Sequence, residues 1–346
     1  MMKKIIDVSG FGHSGKSSIS EFLADHEDFF SFPVNVEFEL FRVSGGILDL
    51  YYSIYENWNL IRANNSIIEF DKLIHRIGIV QNKKRPKTIW KSSSHGYNQF
   101  FNNQFINISE NFINDLIVFK QNTFWPYERL YLSDFNLFAE KLKSKIFKNI
   151  STTDVFYTNR NNFIFLTSKY IYDLFNQVED RTASNIILNN AFDPYHPNVC
   201  LNIIENSFSI VVDRDPRDIY SSLIDSKMGY VPEFEKNNIY RDIKKKMLSI
   251  EKIDDFILRF RTIKENIQYH ENPRLLRIRF EDFILNHKEV KDQIYKFLGN
   301  DNFVKKDILK FKPEDSSKNI GIWKNYKDLP EIKKIEKELF EYCYQL

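Results

Sequence analysis

Eight residues near the start of the chain, Gly10-Phe11-Gly12-His13-Ser14-Gly15-Lys16-Ser17, constrain its fold more than any other stretch. They match GxxxxGK[ST] and sit between an apolar run, Ile5, Ile6 and Val8, and a helical pattern over 16–25. That pattern sets Ile19, Phe22 and Leu23 on one face. Glycines let the backbone turn with positive φ, so that successive N–H groups converge on phosphate oxygens. A helix beginning near Lys16 adds the positive end of its dipole, and Lys16 itself adds a point charge. Strand, loop and helix in this order predict an α/β protein that binds a phosphorylated ligand.

The rest of the chain alternates in the same way. Strands are expected at 34–38, 185–189, 207–212 and 274–280. Helices are expected at 45–62, 109–120, 134–148 and 162–177, with the longest from Tyr240 to Gln268. The expected fold is a central parallel sheet flanked by helices, of the P-loop nucleotide-kinase kind with helical insertions. It is read as one domain over 1–346. A polar, irregular lid or insertion is expected at about 81–108, carrying Lys83, Lys84, Arg85 and Lys87.

Lys and Arg number 49 against 47 Asp and Glu, a net +2, so bulk charge predicts no nucleic-acid partner. Two cysteines make no disulfide framework or cysteine-based zinc site, and the seven histidines form no HExxH pair, so no metal is expected. No apolar run is long enough to span a membrane, and the first apolar run is too short for a signal peptide. A cytoplasmic location is therefore expected.

A second phosphate site is legible further on. Phe208 to Val212 reads as a buried strand, and Asp213-Arg214-Asp215-Pro216-Arg217-Asp218 leads from it into a helix. Asp215 suits the N-cap, Pro216 the first helical position, and Asp218 lies three residues beyond the cap. A helix start asks nothing of Arg214. At the C-terminal end of a parallel strand, however, an arginine projects into the crevice where such sheets bind ligands. Ser222 follows eight residues later and offers a hydroxyl to the same anion.

The run IVVDRDPRDIYSSL resembles the 3′-phosphate motif of sulfotransferases that use 3′-phosphoadenosine 5′-phosphosulfate (PAPS). Arg277-Ile278-Arg279-Phe280-Glu281-Asp282-Phe283 is similar to the family's "RYEDL" segment, and Gly321-Ile322-Trp323-Lys324-Asn325 to its GxWKN segment. The four matches, with the phosphate loop first, run in the family's order from 10 to 326. The resemblance implies a sulfotransferase fold with PAPS as cofactor, PAP as product and no metal. It implies that Gly12, His13, Ser14, Gly15, Lys16, Ser17 and Ser18 hold the 5′ end. Arg214 and Ser222 would take the 3′-phosphate, with Lys318 and Trp323 in the closing segment. The acceptor would be a hydroxyl, with a glycan suspected. The chain departs from the family in carrying His13 where a loop lysine is usual, and Lys16 where threonine is common. Lys16 and His13 are thus the candidate cations for the leaving group.

The alternative is a P-loop kinase using ATP and Mg²⁺. There Asp213, closing a hydrophobic strand, would hold the metal, and Arg214 and Arg217 would clamp the phosphoryl group. Candidates for a general base are Glu37, Glu39, His95 and His196. The alternation Val36, Phe38, Leu40 sets both glutamates on one face of the second strand. Glu39, nearer the strand's end and three residues before Arg42, is the expected base.

Overall fold

A computed structural model of the chain describes residues 3–33, 36–79, 96–147, 152–180, 182–225, 252–267, 271–299 and 303–345. Cα packing divides it into two compact units, Met1–Arg42 with Phe175–Leu346, and Val43–Leu174.

The first unit is built on a five-stranded parallel sheet. Its strands are β1 (Lys4–Gly10), β2 (Phe29–Ser31), β5 (Asn185–Asn189), β6 (Ser207–Asp213) and β7 (Leu275–Arg279), in the order β2-β5-β1-β6-β7. Strand β1 pairs with β5 at Ile5↔Ile186 and with β6 at Gly10↔Val212. All five residues of β5 are buried, without the alternation of a half-solvated strand, as expected of a parallel sheet covered on both faces. The helix α1 (Lys16–Ala24) puts Ile19, Phe22 and Leu23 into a cluster with Ile6, Val8, Val212 and Phe280. A second cluster joins Phe11 to Ile219 and Leu223 of the helix Pro216–Asp225. The chain passes from the β5 side of β1 to its β6 side. The ligand crevice of such a sheet therefore opens between the C-terminal ends of β1 and β6.

The second unit pairs β3 (Ile117–Thr123) with β4 (Thr153–Thr158) as an antiparallel hairpin beside helices Leu60–Gly78 and Phe105–Leu116. Asn59 caps the first of these helices, its Oδ1 accepting the N–H groups of Ile61 and Arg62. Asn64, buried in the same helix, accepts the N–H of Phe156 and so ties the helix to the hairpin.

Four expectations need correction. The second strand is Phe29–Ser31: of the expected 34–38, residues 34 and 35 lie outside the described residues and 36–38 are not strand, Val36 N–H turning back onto the Pro33 carbonyl and Phe38 N–H reaching the Asn189 carbonyl. Residues 45–62 are not one helix but Ile47–Leu50 continued by a π-helix, Tyr51–Glu56, with a break before Asn59. The helix placed at 109–120 is Phe105–Leu116, and its expected last turn is the start of β3. Within the supposed lid, Tyr97 and Phe101 are fully buried at the ends of a 3₁₀ turn, and Phe105 opens a helix; residues 80–95 lie outside the described residues. Of the long helix at 240–268, Ile253–Glu265 is helical, and 240–251 and 268 lie outside the described residues.

Gly15 joins sheet, loop and core. Its φ is +83°, and a Cβ there would meet the ring of Phe280, itself 1% exposed, at 2.3 Å. Left-handed strain and overpacking add, so Gly15→Ala should cost about 2–4 kcal/mol of stability in urea unfolding. A loss within about 0.5 kcal/mol of zero, the usual range at neutral surface sites, would show that the ring gives way freely.

Candidate active site

The loop after β1 takes its shape from two left-handed residues, His13 at φ +63° and Gly15 at φ +83°. Ser14 N–H closes a turn onto the Phe11 carbonyl, and α1 then starts with no side chain capping its N-terminus. Gly10 leaves no room for a side chain, since a Cβ would stand 2.4 Å from the Val212 carbonyl oxygen. A cavity of about 610 Å³ opens over this loop, lined by His13 to Ser17 on one side and Arg214, Ser222 and Asp225 on another. Lys318, Asn319 and Ile322 complete it from the C-terminal segment. The spacing-based expectation thus brings loop, arginine and serine to one place. Gly12 lies in the turn just before the lining residues, and Ser18 Oγ stands 3.2 Å from Ser316 Oγ.

Arg214 is only 6% exposed. Its Nη1 donates to the His13 carbonyl at 2.8 Å and to Ser222 Oγ at 3.2 Å, and its Nη2 donates to the Asn319 carbonyl at 2.5 Å. Burial lowers its pKa, opposed by the charges of Asp218, Glu281 and Asp215. Among the described residues, Arg214 Nε and Ser14 Oγ are buried without a hydrogen-bond partner, and both belong to residues lining this cavity. Buried polar atoms left unpaired cost free energy.

The surrounding carboxylates do structural work. Asp215 caps its helix by accepting Arg217 N–H, and it also binds the Arg217 guanidinium at 2.7 Å. Asp218, read from sequence as part of a helix start, instead accepts the N–H groups of Gly321 and Trp323 and so fixes the C-terminal segment. Trp323 lies 4.1 Å over Arg217 and is not among the residues lining the cavity. Lys318 lines the cavity, but its ammonium is exposed and paired with Asp315. Asp213 is bonded to Lys264 at 2.5 Å, and Arg217 is bound by Asp215, Glu336 and the Tyr344 carbonyl.

On the other flank of the loop, Glu37 and Glu39 are both buried, not on a solvated strand face. Glu37 is held against the loop. Its Oε2 accepts from Arg42 at 2.5 Å, its Oε1 accepts from Asn190 Nδ2 at 2.5 Å, and Lys16 Nζ stands 4.0 Å away. Asn190, at φ +47°, also accepts the N–H of Gly10 through its Oδ1. The Asn190 turn is anchored in turn by Asp7, whose Oδ1 accepts the N–H groups of Ala191 and Phe192. Sequence reasoning missed Asn190 and Asp7. The signal available for Asn190 was an asparagine just past a strand, a residue type that tolerates left-handed backbone. His196 heads the helix Pro197–Ile203, its N–H bonded to the Asp193 carbonyl in a turn that Asp193 also caps at Tyr195. His95 lies outside the described residues.

No protein-family model matches the chain, and no curated protein sequence matches it. Among solved structures it is similar to the sulfotransferase domain of the olefin synthase from Synechococcus PCC 7002, at 14% identity and a TM-score of 0.38 over 99% of this chain and 94% of that one. It is also similar to sulfotransferase STF9 from Mycobacterium avium, at 12% identity and 0.37 over 99% and 76%. Retinol dehydratase, solved with androsterone and the inactive cofactor PAP, aligns at 12% identity and 0.32 over 98% and 80%. Superpositions this loose add nothing to the site geometry, which stands on its own residues.

Burial pushes the Asp7 carboxyl up to about 6, against the bonds from Ser9, Phe192 and Ala191 and the charge of Arg42. A native pKa above the unfolded one stabilises the fold at low pH, and that contribution is lost as pH rises through about 6. The difference corresponds to about 3 kcal/mol. Asp7→Asn keeps an acceptor for both N–H groups but carries no charge. The stability of the variant relative to the parent should therefore climb between pH 4 and 7, read from thermal melts across that range. Parallel curves would show that ionising Asp7 costs the fold nothing.

Proposed function

We propose that this protein is a sulfotransferase that moves the sulfuryl group of PAPS to a hydroxyl of an acceptor, releasing PAP. The observation that carries the reading is one cavity lined by the phosphate loop, His13 to Ser17, and by Arg214 and Ser222. That cavity lies between a phosphate loop and an arginine–serine pair. PAPS has two separate anionic ends, and this cavity has two separate anion-binding walls. When bound, PAPS supplies the activated sulfuryl group. The loop N–H groups and Ser17 hold its 5′ end, and Arg214 and Ser222 its 3′-phosphate. Lys16 stabilises charge developing on the oxygen from which the sulfuryl group departs. Glu37 accepts the proton of the attacking hydroxyl, its two oxygens held by Arg42 and Asn190 so that the carboxylate keeps one orientation. The base in this reading is Glu37, supported by its 4.0 Å approach to Lys16 and by the bonds that fix both its oxygens.

The sequence resemblance supports a carbohydrate hydroxyl as acceptor. Against the kinase alternative, Asp213 is paired with Lys264 and Arg217 with Asp215 and Glu336.

Calorimetric titration separates the readings. PAP should bind far more tightly than ADP and without Mg²⁺, and Arg214→Ala should remove about 1.5–3 kcal/mol of that preference. Equal affinity for PAP and ADP in the parent protein overturns the proposal.

The proton acceptor is tested by transfer of radiolabelled sulfate from PAPS to a glycan acceptor pool. Glu37→Gln should lower turnover by about 10²–10⁴-fold with PAP affinity retained, whereas Glu39→Gln should leave turnover near the parent level. The reverse pattern assigns the base to Glu39.

A further inference from the structure

In the second unit, the helix Asp134–Phe147 is amphipathic in the reverse of the usual sense. Ser133 starts it, its Oγ accepting the Asn136 N–H and its carbonyl the Leu137 N–H. At about 3.6 residues per turn, Leu137, Glu140 and Ser144 share one side, and these are half-buried. Phe135, Phe138, Leu142 and Ile146 share the opposite side, and they are 78%, 60%, 43% and 69% exposed. Steps of three, four and four residues return this row to its starting angle after about three turns, so it runs straight along the helix.

Scattered exposed apolar side chains are ordinary, but an aligned row of four is not. At these exposures the row presents on the order of 450 Å² of apolar surface, near the upper end for a chain that stays alone. Two such rows face to face remove about 900 Å², which with the polar residues flanking them makes a standard-size interface.

The row is complementary to itself. Its first half is aromatic, its second aliphatic, and its spacing is nearly symmetric about the midpoint. An antiparallel copy therefore sets Phe135 over Ile146 and Phe138 over Leu142. Asp134 in the first turn and Lys145 in the last are exposed and lie on one flank of the row. Among the described residues neither is engaged in an ion pair. Lys141, on that flank too, sits furthest round from the row. Antiparallel packing brings like flanks together, so Asp134 of one copy meets Lys145 of the other at both ends, and the helix dipoles oppose favourably. A rim that is acidic at one end and basic at the other is answered by a second copy and not by a lipid surface of one sign.

We propose that the protein forms a two-fold homodimer through this helix, packed antiparallel against its own copy. The inference is independent of the reaction proposed above.

Sedimentation equilibrium of the full chain at micromolar concentrations tests it. The parent should reach twice the mass of one chain, and Phe138→Glu with Leu142→Glu should sediment as a monomer. Both side chains are exposed, so an unchanged far-ultraviolet circular dichroism spectrum verifies the fold of that variant. Asp134→Lys and Lys145→Glu should each raise the dissociation constant about tenfold by setting like charges together, and the chain carrying both should regain most of the parent's affinity. A monomeric parent, or a dimer that the double glutamate variant retains, overturns the proposal. Charge reversals without effect, or a combined variant no tighter than either single one, overturn the antiparallel arrangement. A monomeric parent that pellets with phosphatidylcholine vesicles would instead make the row a membrane contact.

Discussion

One nearly inaccessible guanidinium organises the first unit. Arg214 has little water to lean on, and its two Nη groups are answered by chain. Three stretches answer them: the carbonyl of the phosphate loop at His13, the hydroxyl of Ser222, and the carbonyl of Asn319. These partners lie as far as 201 residues away in sequence. The loop's shape, the first helix after β6 and the C-terminal segment are therefore not independent. Its hydrogen-bond partners are neutral, and its charge is answered at longer range by Asp218, Glu281 and Asp215.

Around that cation the buried carboxylates are spent mainly on backbone N–H groups. Asp7 holds Ala191 and Phe192, Asp25 holds Lys310 and Phe311, Asp218 holds Gly321 and Trp323, and Glu281 holds Asp215. Each bond fixes a segment that has no regular secondary structure to fix it. Loops near a site are usually the softest parts of a fold, and a buried acceptor at the base of each one is a way to hold it still. The cost is a set of carboxyls raised by burial, Asp7, Asp218 and Glu281 among them.

The sequence was most informative where local pattern and tertiary role coincide. Strands β1, β5, β6 and β7 are short apolar runs bounded by turn residues, and each was legible within a residue or two. Strand β2 was not, because three residues carry almost no pattern, while Val34 to Phe38 imitates alternation beyond a proline that ends the pairing. The hairpin was hidden because most of β3 is exposed, which removes the apolar signal by which strands are recognised. In the site, Lys16, Arg214 and Ser222 were legible from spacing. The roles of Asn190 and Asp7 were not, since each depends on a partner about 180 residues away.

The placement of the second unit bears on how the chain comes together during synthesis. Val43–Leu174 falls between β2 and β5, yet β1 is flanked by β5 and β6. The central strand is made first and must wait for both neighbours, with Ile5 pairing to Ile186 and Gly10 to Val212. At ribosomal speeds that wait is roughly 10–40 s. Through it, β1 has two unpaired edges, the kind of exposed apolar strand that recruits other chains. Contacts this distant in sequence also slow folding, while the intervening unit, with its own helices and hairpin, has its partners close at hand. Crowding at the ribosome, rather than any weakness of the finished sheet, is thus the stage at which this topology is most exposed to aggregation.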